Sequence, residues 1–123
     1  MNRILKKAVD LAKESSEKKY RFCSIITDKK NRILSVGFNS LKKSHPLQKE
    51  MAKKCGHKDK IYLHSEVSAI VNLDYGSKPF NIYVARVNKS GTRTMLAKPC
   101  DICSKLISQV SIKNIYYTRE SSK

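Results

Sequence analysis

Two short segments hold residues that could work together chemically: His64-Ser65-Glu66, and Pro99-Cys100-Asp101-Ile102-Cys103. One imidazole and two thiols make a donor set suited to zinc. Three protein ligands leave a fourth position for water, whose pKa zinc lowers to about 7, so the set reads as a hydrolytic centre. Cys100 and Cys103 stand at i and i+3, so in the first turn of a helix both thiols face one point. Pro99 suits a chain turning into that helix, and the positive helix end favours thiolate over thiol. His64 is likewise expected at a helix start. Glu66, two residues beyond the ligand, is expected to carry protons rather than bind metal. Alone, a carboxylate in a helix's first turn is explained by the helix dipole. Beside His64 and the cysteine pair, the proton shuttle is the better reading.

Four cysteines, Cys23, Cys55, Cys100 and Cys103, could also staple a secreted domain. A close C-x-x-C pair beside a His/Glu segment, in a chain with no signal-like start, favours metal instead. A thioredoxin-like redox pair would leave His64 and Glu66 unexplained. His45, Cys55 and His57 lie together, so a second, structural zinc is conceivable. Cys55 is equally well explained by an apolar stripe with Leu47 and Met51, at i, i+4 and i+8.

The elements that must position these residues follow from periodicity. Residues 2–20 show helical spacing through Ile4, Leu5, Ala8, Leu11 and Ala12. Residues 21–27 and 32–38 read as strands joined by an Asp28-Lys29-Lys30-Asn31 turn. Residues 40–60 form a basic insert, in which Pro46 could open a short helix and Gly56 close it. Residues 64–73 read as a helix with Val67, Ala69, Ile70 and Leu73 inward, ended by Gly76 and Pro79. Residues 80–87 read as a strand, 88–92 as a turn or loop, and 100–110 as a helix with Ile102, Leu106, Ile107 and Val110 inward. Residues 112–118 are expected as a last strand and Arg119 to Lys123 as a frayed tail. At 123 residues the chain suits a single domain spanning 1–123. The order predicts an α/β sandwich of three-layer type: a mixed sheet of about four strands with helices packed on it.

A net charge of +16, from 26 Lys+Arg against 10 Asp+Glu, implies attraction to polyanions or phosphate-bearing ligands. Lys42, Lys43, Lys49, Lys53, Lys54, Lys58 and Lys60 could grip a 5′-phosphate or a strand backbone; a solvated helix face explains them equally well. No apolar run is long enough to span a membrane, and the charged N-terminus is unlike a signal peptide. A soluble, cytoplasmic protein with no membrane partner is expected.

The paired segments H-x-E and P-C-x-x-C resemble the signature of the zinc-dependent cytidine/deoxycytidylate deaminase superfamily. The motif covers eight residues, and the element order agrees over most of the chain. The resemblance implies a cytidine deaminase-like fold, zinc held by His64, Cys100 and Cys103, and Glu66 moving protons from water to the ring nitrogen and the departing ammonia. His rather than Cys as the first ligand resembles the deoxycytidylate, tRNA-adenosine and polynucleotide branches. Gly37-Phe38-Asn39 is similar to a G-(aromatic)-N segment, which implies that Asn39 holds sugar or base. The long stretch between Asn39 and His64 resembles deoxycytidylate deaminases. Ser65 stands where Ala is common, a position that usually contributes backbone contacts to the base. Tyr116 or Tyr117 could stack on substrate, Tyr117 being the residue assigned to it. The sequence ends just after the fourth strand, where relatives usually continue, so a C-terminally shortened domain and a homo-oligomer are expected. The leading expectation is deamination of cytosine in a (deoxy)cytidylate-type nucleotide. The second is deamination in single-stranded nucleic acid. Weaker readings are a tRNA-adenosine enzyme and a zinc-stabilised nucleic-acid-binding module without catalysis.

Overall fold

The structure, a computed structural model, describes residues 2–15, 21–40, 46, 50, 53 and 64–121. In chain order the elements are α1 (Arg3–Lys13), β1 (Arg21–Thr27), β2 (Ile33–Phe38), α2 (Ser65–Val71), β3 (Asn81–Val87), β4 (Thr94–Met95), α3 (Asp101–Gln109) and β5 (Asn114–Tyr117).

The sheet is mixed and has five strands. Both β2 and β3 pair antiparallel with β1. The far edge of β3 is divided: its first half pairs parallel with β5, Asn81↔Asn114 to Val84↔Tyr117. Its last two residues pair antiparallel with β4, Arg86↔Met95 and Val87↔Thr94. Because successive side chains alternate faces, β1 and β3 each feed two cores. Ile26, Ile82 and Val84 pack with Val67 and Ile70 of α2 and with Ile102, Cys103, Leu106 and Ile107 of α3. Cys23, Ile25, Tyr83, Ala85 and Val87 pack with Ile4, Ala8, Val9 and Ala12 of α1. A strand covered on both faces reads as a near-continuous apolar run, which is why 80–87 was so legible. The result is the expected three-layer α/β sandwich, with α1 on one face and α2 and α3 on the other.

Two sequence expectations need correction. About four strands were expected and the sheet has a fifth, Thr94–Met95, in a stretch given no element; two residues carry no periodicity, and only pairing with Arg86 and Val87 makes them a strand. The expected frayed tail is tied down through residue 121: Ser121 N–H donates to Thr94 O at 3.1 Å. Thr94 Oγ1 donates to Arg119 O at 2.8 Å, and Glu120 pairs with Arg93 at 2.7 Å. The insert at 40–60 lies mostly outside the described residues, with His45, Cys55, His57 and all its lysines but the exposed Lys53.

Local chemistry explains the rest. Asn2 caps α1, its Oδ1 accepting from Ile4 N at 2.7 Å and Leu5 N at 3.2 Å. Asp28 Oδ1 closes the β1–β2 turn on the N–H groups of Lys30 and Arg32 at 2.9 and 3.0 Å, while Asn31 takes the left-handed conformation at φ 61°. Gly37 sets how α2 sits on the sheet. A Cβ there would lie 2.2 Å from Ala69 N and 2.5 Å from Ser65 O, so only glycine lets the helix backbone approach. Two bonds lock the contact: Ser35 Oγ to Ala69 O at 2.8 Å and Asn72 Nδ2 to Val36 O at 3.0 Å.

Candidate metal centre

The first turns of α2 and α3 meet. His64 is the N-cap residue of α2 and Cys100 that of α3, and Cys103 lies in the first turn of α3. Cys100 thus stands just before the helix rather than within its first turn. His64 Nδ1 lies 3.3 Å from Cys103 Sγ and 3.7 Å from Cys100 Sγ. All three ligand atoms fall within 4.8 Å of one another.

This donor set fits zinc. A tetrahedral zinc with Zn–S of about 2.3 Å and Zn–N of about 2.0–2.1 Å spans N···S edges of about 3.6 Å, between the two distances observed. Cys23, Cys100 and Cys103 are free thiols, so the close pair is not a disulfide. The hydrogen bond from the Cys103 thiol, and His64 beside it, hold Cys100 down to about 4. The same bond and burial push Cys103 up. A metal binding both as thiolates would displace the thiol proton that Cys103 holds against Cys100. Among the described residues the cluster offers three donors, the number that leaves an open position on zinc.

Glu66 sits in the first turn of α2, 6 % exposed. Burial pushes its carboxyl up, opposed by its own backbone N–H, the Ser65 hydroxyl and His64. Ser65 Oγ donates to Glu66 Oε1 at 2.9 Å and lies 2.8 Å from Ser24 Oγ. A hydroxyl has one proton to give; since Ser65 spends its own on Glu66, Ser24 donates to Ser65. Ser24 and Ser65 are 0 % and 1 % exposed. Ser24 pairs directly with Gly37, whose missing side chain brings α2 down far enough for the two hydroxyls to meet. Sequence reasoning did not single out Ser24. Its one signal was a hydroxyl inside the apolar run Phe-Cys-Ser-Ile-Ile.

The remaining candidates are placed differently. Asn39 is half-buried, and its Oδ1 accepts from Phe22 N at 3.2 Å. The two tyrosines part company. Tyr116 stacks on Tyr83 at 4.9 Å, on the face covered by α1. Tyr117 packs on the core shared with α2 and α3, and Arg119 lies over its ring at 5.2 Å. Cys23, facing α1, is pushed up to about 12 by burial.

Residues 1–119 match the family described as the cytidine and deoxycytidylate deaminase zinc-binding region. No curated protein matches the chain. Among solved structures it is similar to a guanine deaminase from Bacillus subtilis, at 21 % identity and a TM-score of 0.59, over 97 % of this chain and 65 % of that one. The chain therefore spans just under two thirds of that enzyme's length, and at this identity the likeness is one of fold.

Proposed function

The chain belongs to the cytidine and deoxycytidylate deaminase zinc-binding family, and we propose that it hydrolyses the exocyclic amine of cytosine in a (deoxy)cytidylate-type nucleotide, yielding the uracil counterpart and ammonia. One observation carries this: an imidazole and two thiols converge within 4.8 Å, and a buried carboxylate stands two residues beyond the imidazole. Bound by His64, Cys100 and Cys103, zinc supplies the Lewis acidity that makes water nucleophilic at neutral pH. Glu66 takes one proton from the attacking water and passes it to the ring nitrogen, then takes the second from the newly added hydroxyl and passes it to the amine, so that C=O forms as ammonia leaves. Ser65, backed by Ser24, fixes the Glu66 carboxylate through Oε1 and leaves Oε2 for the proton. Asn39, with Oδ1 engaged by Phe22, has its Nδ2 amide to offer sugar or base. Tyr117 lies beneath Arg119 and lines the site face. Family membership favours cytosine, and the net charge of +16 favours a substrate bearing phosphate.

Glu66→Gln is the direct test. The variant should retain about one zinc per chain and lose turnover by 10²-fold or more. Zinc retained by the unaltered chain with no deamination of dCMP, deoxycytidine, a cytosine-bearing oligonucleotide or guanine would sink the reading and leave a binding module. Turnover of the oligonucleotide alone, collapsing with salt, would replace the free nucleotide by single-stranded nucleic acid.

A further inference from the structure

The sheet continues past the point where the chain turns toward Cys100. Thr118 N–H donates to Val84 O at 3.0 Å, and Thr118 O accepts from Ala97 N at 2.9 Å. Residues 85–96 thus leave one level of the fold and return to it, as the end of β3, a turn and β4. Thr118 Oγ1 braces this excursion, accepting from Arg86 N at 3.1 Å and donating to Met95 O at 2.7 Å.

Register fixes which way its side chains point. Ser24 reaches Ser65 of α2, so Phe22, two residues away, shares the face carrying the metal cluster. Phe22 pairs with Arg86, and the Arg86 guanidinium lies 5.3 Å over the Phe22 ring. Arg119 covers Tyr117 on that same face. Two guanidinium groups, each seated on an aromatic ring, therefore flank the site end of the sheet. Other arginines are engaged by carbonyl or carboxylate: Arg21 donates to Lys13 O, Arg32 to Asp28 and Arg93 to Glu120. Among the described residues, the guanidinium groups of Arg86 and Arg119 meet no carboxylate. Stacking holds a planar guanidinium in place and leaves its edge N–H groups able to grip phosphate oxygens in pairs.

We propose that Arg86 and Arg119 form the phosphate-recognition rim of the site, so that the substrate is a phosphorylated nucleoside and not the free base or nucleoside. This rests on the cytosine-nucleotide reading above and gives it its phosphate contacts. Arg86 and Arg119 lie on either side of β4, so the rim can meet one phosphate or successive phosphates of a strand.

The test uses the zinc-loaded full chain carrying Glu66→Gln, which holds ligand without consuming it. Calorimetry should show dCMP bound at least tenfold more tightly than deoxycytidine. Arg86→Ala with Arg119→Ala should bring that ratio toward one, and Arg86→Lys should restore part of it. A cytosine-bearing oligonucleotide distinguishes the source. If its affinity falls, and its salt slope drops by about one per arginine, while the dCMP ratio stays put, the phosphates are those of a strand. Unchanged dCMP and oligonucleotide binding in the double variant overturns the proposal. Inorganic pyrophosphate, followed by the arginine Nε–H NMR signals, tests the rim without any base. Shifts confined to Arg86 and Arg119 would uphold it even if cytosine proved to be the wrong ring, and absence of shifts would overturn it even if cytosine were deaminated.

Discussion

Cys23 and Cys103 lie on opposite faces of one sheet, both fully buried, and their surroundings could hardly differ more. Cys23 projects from β1 among Ile4, Ala8, Tyr83 and other α1-face residues. Burial among these apolar side chains pushes its pKa to about 12. Cys103 stands in the first turn of α3 with His64, Cys100 and Glu66 beside it. The α1 face is an apolar seal and the α2/α3 face is a site, yet both are built from the same strands. Burial alone makes a thiol inert. Two helix N-termini arriving together, with an imidazole and a second thiol, place it in a donor set that fits zinc.

Breaking the contrast at its centre should give the largest effect. Cys103→Ala should abolish stoichiometric zinc and turnover with it, while Cys23→Ala should keep both; metal analysis of the two purified variants decides. Zinc loss in Cys23→Ala would mean the two faces are not independent. The same residue sets a pH dependence. Because the folded pKa of Cys23 lies above its unfolded value, its contribution to stability is complete below the ordinary thiol pKa. That contribution is lost as pH rises toward 12. Denaturant melts at alkaline pH should therefore fall more steeply for the native chain than for Cys23→Ala. Alkylation of Cys23 at neutral pH should require unfolding.

Gly37→Ala comes next, since the added methyl meets backbone that cannot swing aside. Overpacking of this kind costs about 1–3 kcal/mol, visible as a lower denaturation midpoint. Here it should also loosen zinc, because α2 carries His64. By contrast Gly76→Ala, with no atom within 4 Å of the added methyl but φ at 85°, should cost stability without touching metal.

Smaller still is the serine pair. Ser24→Ala and Ser65→Ala should each lower kcat about tenfold with KM and zinc content little changed. The double variant should be no worse than either single one, because both break one chain to Glu66. Ser65→Thr should recover part of the rate. Additive losses would show that the hydroxyls act separately. The smallest expected effect lies on the sealed face: Asn2→Ala should remove the α1 cap at a cost of about 1 kcal/mol, leaving kinetics unaltered.

Much of the site was legible beforehand because its signal is local. Ligand spacing within one helical turn, and a carboxylate two residues from an imidazole, are properties of consecutive residues. So are the apolar runs of β1 and β3 and the stripe of α1. The partners that complete the site are not local. Ser24 and Ser65 are neighbours across 41 positions, and the need for glycine at 37 appears only once α2 lies on β2. Thr94–Met95 is a strand solely by virtue of its partner, and Arg86 looks like any surface arginine until Phe22 is placed beneath it.

The sequence by itself determined the donor set, the carboxylate two residues beyond its imidazole and the alternation of elements, because these depend on residue type and on periods of two and 3.6. Only the tertiary structure decided which hydroxyls hold Glu66, which tyrosine packs on the α2/α3 core and which arginines lie over aromatic rings. Those relations arise when the sheet assigns each residue a face and a level, which no stretch of adjacent residues encodes.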